Sequence, residues 1–353
     1  MGRLNFEGWS PIRIDSGPGG EPLVDWMRAS PEVTRTPFFA DGVQEAMQRP
    51  FHQAMRRQTP LADLLDWAQT SPGLVPSGIV FHVSRCGSTL VTQAFAALQE
   101  HVTLSEAPLL DDLMRAEARL PTLDPALAVP AARAVASAWA QPSLPGHGVQ
   151  RTHLVIKCDC WATAYADRIA QAWPETPWLF LFRDPVEVLM SQFQQRAAYL
   201  IPGGPLGVNP AGIAFEDALR MGLDTYRARS LGAIYEGMVQ QFRPERTLLL
   251  NYRQWPSAIL EKVAPHFGMA LDAPAAAQVE ATFGMHAKNP HNPFFPDAEQ
   301  KHRQAPAQLR ELAEQWIAPH YDALETLRTM NGTAAQRTAR ADSEALETPM
   351  TTP

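Results

Sequence analysis

Two stretches of the 353-residue chain bring polar and charged residues to points where a strand gives way to a helix. The first is GIVFHVSRCGSTLVTQAF, residues 78 to 95. Its apolar start predicts a buried strand from Gly78 to Val83, and Ser84-Arg85-Cys86-Gly87-Ser88-Thr89 then runs directly into a helix over 88 to 98. Gly87 permits close backbone approach, a helix N-terminus offers unpaired N–H groups, and Arg85, Ser88 and Thr89 add donors. Together they make an anion cradle. It is not a Walker-type loop, because Ser88 stands where that motif needs a lysine after its second glycine. The plainer reading is a strand-to-helix turn with a capping Ser or Thr. The second stretch is PWLFLFRDPVEVLMSQF, residues 177 to 193. A strand ending at Phe182 delivers Arg183 to its carboxyl end, Pro185 starts a helix, and Ser191 lies about two turns along it. Arg183 and Ser191 can hold one anionic group between them. The plainer reading here is Asp184 as N-cap and Arg183 in a surface ion pair.

Together the two stretches resemble the two cofactor-binding signatures of sulfotransferases that use 3′-phosphoadenosine 5′-phosphosulfate (PAPS). The first family loop, [KR]-x-G-[ST]-T, is matched by Arg85-Cys86-Gly87-Ser88-Thr89, with Cys86 where serine is usual. The second, R-[DN]-P-x-[DE]-V with a serine eight residues after the arginine, is matched by Arg183 to Val188 and Ser191. The resemblance covers roughly residues 75 to 330, and two linked motifs are more specific than either alone. It implies an α/β fold of the P-loop NTPase-like sulfotransferase type, PAPS as cofactor with adenosine 3′,5′-bisphosphate as product, and no metal. It further implies that residues 85 to 89 hold the 5′-phosphosulfate, and Arg183 and Ser191 the 3′-phosphate.

Sulfuryl transfer is an in-line displacement by an acceptor oxygen or nitrogen. It needs a general base for the acceptor's proton and cations for the charge on the transferring group. Glu106, in LSEAPLLDDL, follows the second predicted strand and resembles the glutamate that serves as base in heparan-type members; the plainer reading is a helix N-terminal carboxylate beside Ser105. The strand ending VIKCDCW resembles the family strand that ends in Lys-Thr-His. Lys157 matches the lysine that contacts the transferring group, and Asp159 stands at the histidine position, so the base is open between Glu106 and Asp159. Lys157 is one of only four lysines among 30 basic residues. The basic loop around Lys288 and Lys301 is similar to the C-terminal loop that family members close over the cofactor, which makes Lys288 a second contact to the phosphosulfate. Tyr252 and Trp161 are candidate ligand contacts or core aromatics, and Pro293 to Pro296 a candidate acceptor wall. Cys158 and Cys160, two apart with no second pair, fall short of a zinc pattern. Two other readings stand beside the transferase: an ATP-dependent kinase of related fold, and a non-catalytic nucleotide-binding module.

The elements that must position these residues alternate. Strands are expected near 78–83, 102–104, 154–157, 178–182 and 247–250, with helices over 88–98, 109–119, 125–141, 162–172, 186–198, 215–242, 257–267 and 306–330. That pattern means a parallel sheet flanked by helices on both faces, with ligands at the carboxyl strand ends. Residues 1–75 read as an N-terminal extension, irregular to residue 30 and helical over 41–70, packing on a main domain of 76–330 that a disordered tail, 331–353, follows. Hydrophobic residues make up 45% and charged residues 19%, which excludes a largely disordered chain. A net charge of −7 argues against a nucleic-acid binder. With no long apolar run and no secretory signal, the expectation is a cytoplasmic protein, free of membrane, acting on a small-molecule or carbohydrate acceptor.

Overall fold

The computed structural model describes residues 5–286, 289–293 and 297–331. The chain opens with an antiparallel pair, β1 (Trp9–Ser16) and β2 (Pro22–Arg28), to which β3 (Arg57–Pro60) adds a third strand. Residues 9–28 are therefore a hairpin and not the irregular segment expected. Its Gly/Pro-rich turn hides a pattern in which Ile14, Val24, Trp26 and Met27 are buried. The helix expected over 41–70 is likewise broken. Phe39–Met47 (α1), Pro50–Ala54 (α2) and Leu61–Thr70 (α3) are separate, with Pro50 and Pro60 at the helix starts, where a missing N–H costs nothing. Trp26 stacks on Phe6 at 4.1 Å and donates to Thr59, and Trp139 donates to the Pro11 carbonyl at 2.7 Å. Buried side chains of this N-terminal region share one core with the rest.

From Gly78 the chain alternates as expected. Strands β4 (Gly78–His82), β5 (His101–Ser105), β6 (His153–Lys157), β7 (Trp178–Phe182) and β8 (Thr247–Asn251) form a parallel sheet in the order β5-β6-β4-β7-β8. Between them run α4 (Ser88–Ala96), α5 (Pro108–Met114), α6 (Ala116–Arg119), α7 (Pro125–Trp139), α8 (Ala166–Ala172), α9 (Pro185–Gln194), α10 (Phe215–Met221) and α11 (Leu223–Gln240). After β8 come a π-helical turn (Ile259–Val263), α12 (Ala264–His266), α13 (Ala273–Ala281), α14 (Ala298–Gln304) and α15 (Ala307–Trp316), with a further helix over 318–331. Only the β4-to-β5 connection runs towards the β5 edge; the others run the opposite way. With right-handed crossovers, α4 and the later helices therefore cover opposite faces of the sheet. The single helix expected over 215–242 is interrupted at Gly222, whose φ of +81° suits glycine and breaks the helical run. The five central strands are buried almost throughout, as near-continuous apolar runs require.

The chain leaves β4 towards β5 on one side and returns to β7 on the other. The carboxyl ends of β4, β6 and β7 therefore flank a topological switch point, where open α/β sheets bind ligands. No helix among the described residues is long and apolar enough to cross a membrane. Lys288, Phe294, Phe295, Pro296 and residues 332–353 lie outside the described residues.

Candidate active site

The β4 ladder continues to Val83, whose N–H meets the Leu181 carbonyl at 3.0 Å, and the chain then turns sharply through Arg85 and Gly87 at φ +64° and +85°. Among the described residues Arg85 and Glu106 are the only non-glycines at positive φ. Such a conformation costs about 1–3 kcal/mol and persists only where the surroundings over-determine it. Both residues stand at carboxyl strand ends of one sheet. Gly87 is required twice, for its φ and because a Cβ there would approach the Tyr252 ring to 2.9 Å. No side chain caps the helix that follows, and Ser88 and Thr89 are buried in its first turn. Cys86 is different. Its Sγ faces the Leu181 carbonyl at 3.4 Å, and burial pushes the thiol up to about 12, so only its backbone belongs to the turn. The Arg85 side chain reaches Gln195, and its carbonyl accepts from Arg183 at 3.2 Å.

On the β6 side of this turn lies Lys157, whose ammonium is almost fully buried. It meets Glu106 Oε1 at 2.9 Å and Thr89 Oγ1 at 3.4 Å, and lies 5.0 Å from the centre of the Phe38 ring. The Glu106 N–H extends the β5–β6 ladder to the Lys157 carbonyl at 2.8 Å before the positive φ turns the chain into α5. Burial opposes ionisation of Glu106, but Lys157 and His82 beside it outweigh that and hold its carboxyl at about 2. Asp159 is the opposite case. Burial, then the negative charges of Glu106 and Asp111, push its carboxyl well above the ordinary range. Asp159 lines a small cavity of about 30 Å³ with Asp111, Lys157 and Cys158. Asp111 itself is engaged by Arg115 and by Trp161 Nε1 at 2.9 Å, so Trp161 is a buried anchor that also packs on Tyr199.

On the β7 side lies Arg183, also buried. Its guanidinium meets Glu187 at 2.5 Å and Asp297 at 2.8 Å, and lies 4.0 Å from the Tyr252 ring centre. The Tyr235 hydroxyl donates to the Arg183 carbonyl at 2.6 Å, which fixes the backbone there. Asp184 caps α9 through Val186 and Glu187 N–H, as expected from Asp-Pro. Ser191 is buried on the same helix but outside the set of groups that hold Arg183. Lys301, buried on α14, reaches the other oxygen of Asp297 at 2.6 Å. Burial opposes ionisation of Asp297, and hydrogen bonds from Lys301 and Arg183 outweigh it, so this half-buried carboxylate stays ionised between two cations.

No family model matches the chain, and no curated protein does either. Among solved structures, a sulfotransferase from Alicyclobacillus acidocaldarius is similar at 16% identity, over 72% of this chain and 96% of that one, with a TM-score of 0.41. The sulfotransferase domain of the curacin biosynthetic pathway is similar at 15% identity, over 69% and 98%, with a TM-score of 0.41. A Mycobacterium avium enzyme, STF9, is similar at 10% identity, over 78% and 80%, with a TM-score of 0.44. All three are sulfotransferases.

Sequence reasoning singled out Glu106, Lys157 and Asp159 on one side and Arg183 on the other, and the fold gathers them at one sheet end. It missed His82 and Asp297, and it left Lys301 as one basic residue among several. Two spaced basic residues in a late loop, Lys288 and Lys301, were a signal that something basic returns to the sheet, but nothing in the local pattern marks Lys301 as the partner of Asp297.

The Glu106 carboxyl lies below its unfolded value, so the stability it contributes is present above the ordinary carboxylate range and is lost as pH falls through that range towards 2. Urea midpoints should therefore fall more steeply from pH 5 to pH 2 in the wild type than in Glu106→Gln. Parallel slopes would mean that Lys157 and His82 do not hold the carboxylate.

Proposed function

We propose that this chain is a PAPS-dependent sulfotransferase, moving a sulfuryl group to a hydroxyl or amine of an acceptor by in-line displacement. One observation carries the reading. The strained β4–α4 turn is flanked on one side by a buried lysine–glutamate pair and on the other by a buried two-cation corner, all at the carboxyl end of one parallel sheet. A nucleotide with anionic groups at both ends of its ribose matches two separated cationic corners; a single phosphate chain needs only one. The residues present fit such a ligand, since a carboxylate of the chain itself already lies between Arg183 and Lys301.

In this reading Arg85, the Cys86 and Gly87 backbone, Ser88 and Thr89 hold the 5′-phosphosulfate, with Lys288 as a second contact. Arg183 and Ser191 hold the 3′-phosphate, and Lys301 adds a charge at that corner. PAPS, when bound, supplies an activated sulfuryl group on a phosphate leaving group. Lys157, already within reach of Thr89, stabilises the charge that develops on the group in transfer. Glu106 is the base, because Lys157 and His82 favour its ionised form, whereas burial favours the protonated form of Asp159. As Lys157 turns towards the transferring group it leaves Glu106 more basic than in the resting pair.

Two measurements follow. With ³⁵S-labelled PAPS and a panel of alcohols, phenols, amines and sugars, the wild type should label an acceptor, and Lys157→Ala should lower kcat by about 10²–10³. Phosphate transfer from ATP with magnesium, and no transfer of label, would sink the reading in favour of a kinase. Asp297→Asn should bind adenosine 3′,5′-bisphosphate roughly fivefold more tightly, the worth of a half-exposed ion pair. An unchanged affinity would show that Asp297 does not compete for the Arg183 corner.

A further inference from the structure

We propose that His82 is a positioning residue for Glu106, its Nε2–H keeping one carboxylate oxygen occupied and the other free for the acceptor's proton. This rests on the reading of Glu106 as the base. His82 ends β4 and is 5% exposed. Its Nδ1 lies 3.1 Å from the Val83 carbonyl, and its Nε2 lies 3.0 Å from the Cys158 carbonyl and 3.3 Å from Glu106 Oε1. The Cys158 carbonyl only accepts, so Nε2 carries a hydrogen, which it shares with Glu106 Oε1.

The groups that face the ring come from each neighbouring strand. From β6 they are the Cys158 carbonyl and Lys157, whose ammonium shares Glu106 Oε1; from the end of β5, Glu106 itself; from its own strand, the Val83 carbonyl; and from β7, the paired Leu181, which carries no charge. Lys157 and His82 therefore converge on Oε1, which leaves Oε2 as the oxygen able to take a proton. They also over-determine a glutamate whose φ of +52° would otherwise relax. When Lys157 moves to the transferring group, His82 alone keeps that geometry. A base free to rotate would lose the alignment that the displacement requires.

The donor can be read without any turnover. In the full-length protein labelled with ¹⁵N-histidine, long-range ¹⁵N–¹H spectra should show a ring whose Nε2 carries a hydrogen, assigned by its loss in His82→Gln. A ring with no hydrogen on Nε2 overturns the proposal. In the transfer assay, His82→Ala should lower kcat about tenfold to a hundredfold with bisphosphate affinity unchanged, and His82→Gln, which keeps an N–H donor, should restore most of that loss. Equal losses of kcat in the two variants overturn the proposal, and so does loss of bisphosphate binding in both, because the residue would then support the turn and not the base. If the wild type transfers no sulfuryl group at all, the proposed function fails while the spectra still decide whether His82 donates to Glu106.

Discussion

A lysine ammonium buried at the end of a central strand is the constraint on which the rest of this site depends. Lys157 has almost no exposure, and an uncompensated charge there would cost several kcal/mol. The only arrangement that tolerates it brings an anion alongside, and Glu106 supplies it at 2.9 Å. That requirement explains why a glutamate sits at positive φ immediately after β5, and why β5 must lie next to β6 in the sheet. It also ties the β4–α4 turn to the pair, through Thr89. Sheet order, backbone strain and charge placement are thus one solution to one problem.

Around that pair the chain separates otherwise similar groups by environment. Glu106 is drawn down by Lys157 and His82, and Asp159 is driven up by burial and by its carboxylate neighbours. Pairs of carboxyls pushed apart in this way mark acid and base assignments in catalytic sites. At the other corner the same logic operates with the signs reversed. Arg183 and Lys301 share Asp297 between them, and Glu187 pairs with Arg183 as well. Asp297 lies between Arg183 and Lys301, so in the proposed function the 3′-phosphate exchanges for that carboxylate.

Much of this was legible locally and some of it was not. The strand at 178–182, the Asp-Pro helix start and the delivery of Lys157 and Arg183 to strand ends follow from apolar runs that stop at a charge, a signal contained within ten residues or so. The glutamate at 106 was visible as a strand-end carboxylate. Its strain and its partners were not, because His82 and Lys157 reach it from two other strands. Asp297, held also by Lys301, meets Arg183 across more than a hundred residues of chain, and no periodicity encodes such a contact. The N-terminal hairpin was missed because Gly17 to Gly20 masked the alternation on either side. The helix expected over 41–70 failed because β3 pairs with β2, a tertiary preference that overrides local propensity.

The central claim is that the two corners hold one nucleotide, with Arg183 reading its 3′-phosphate. Calorimetric titration with adenosine 3′,5′-bisphosphate, beside ATP with magnesium, on the wild type and on Arg183→Ala tests it most directly. The account predicts tight binding of the bisphosphate, lost in the variant, and no comparable binding of ATP. Binding of ATP with no preference for the 3′-phosphate, or bisphosphate binding that Arg183→Ala leaves intact, would contradict it.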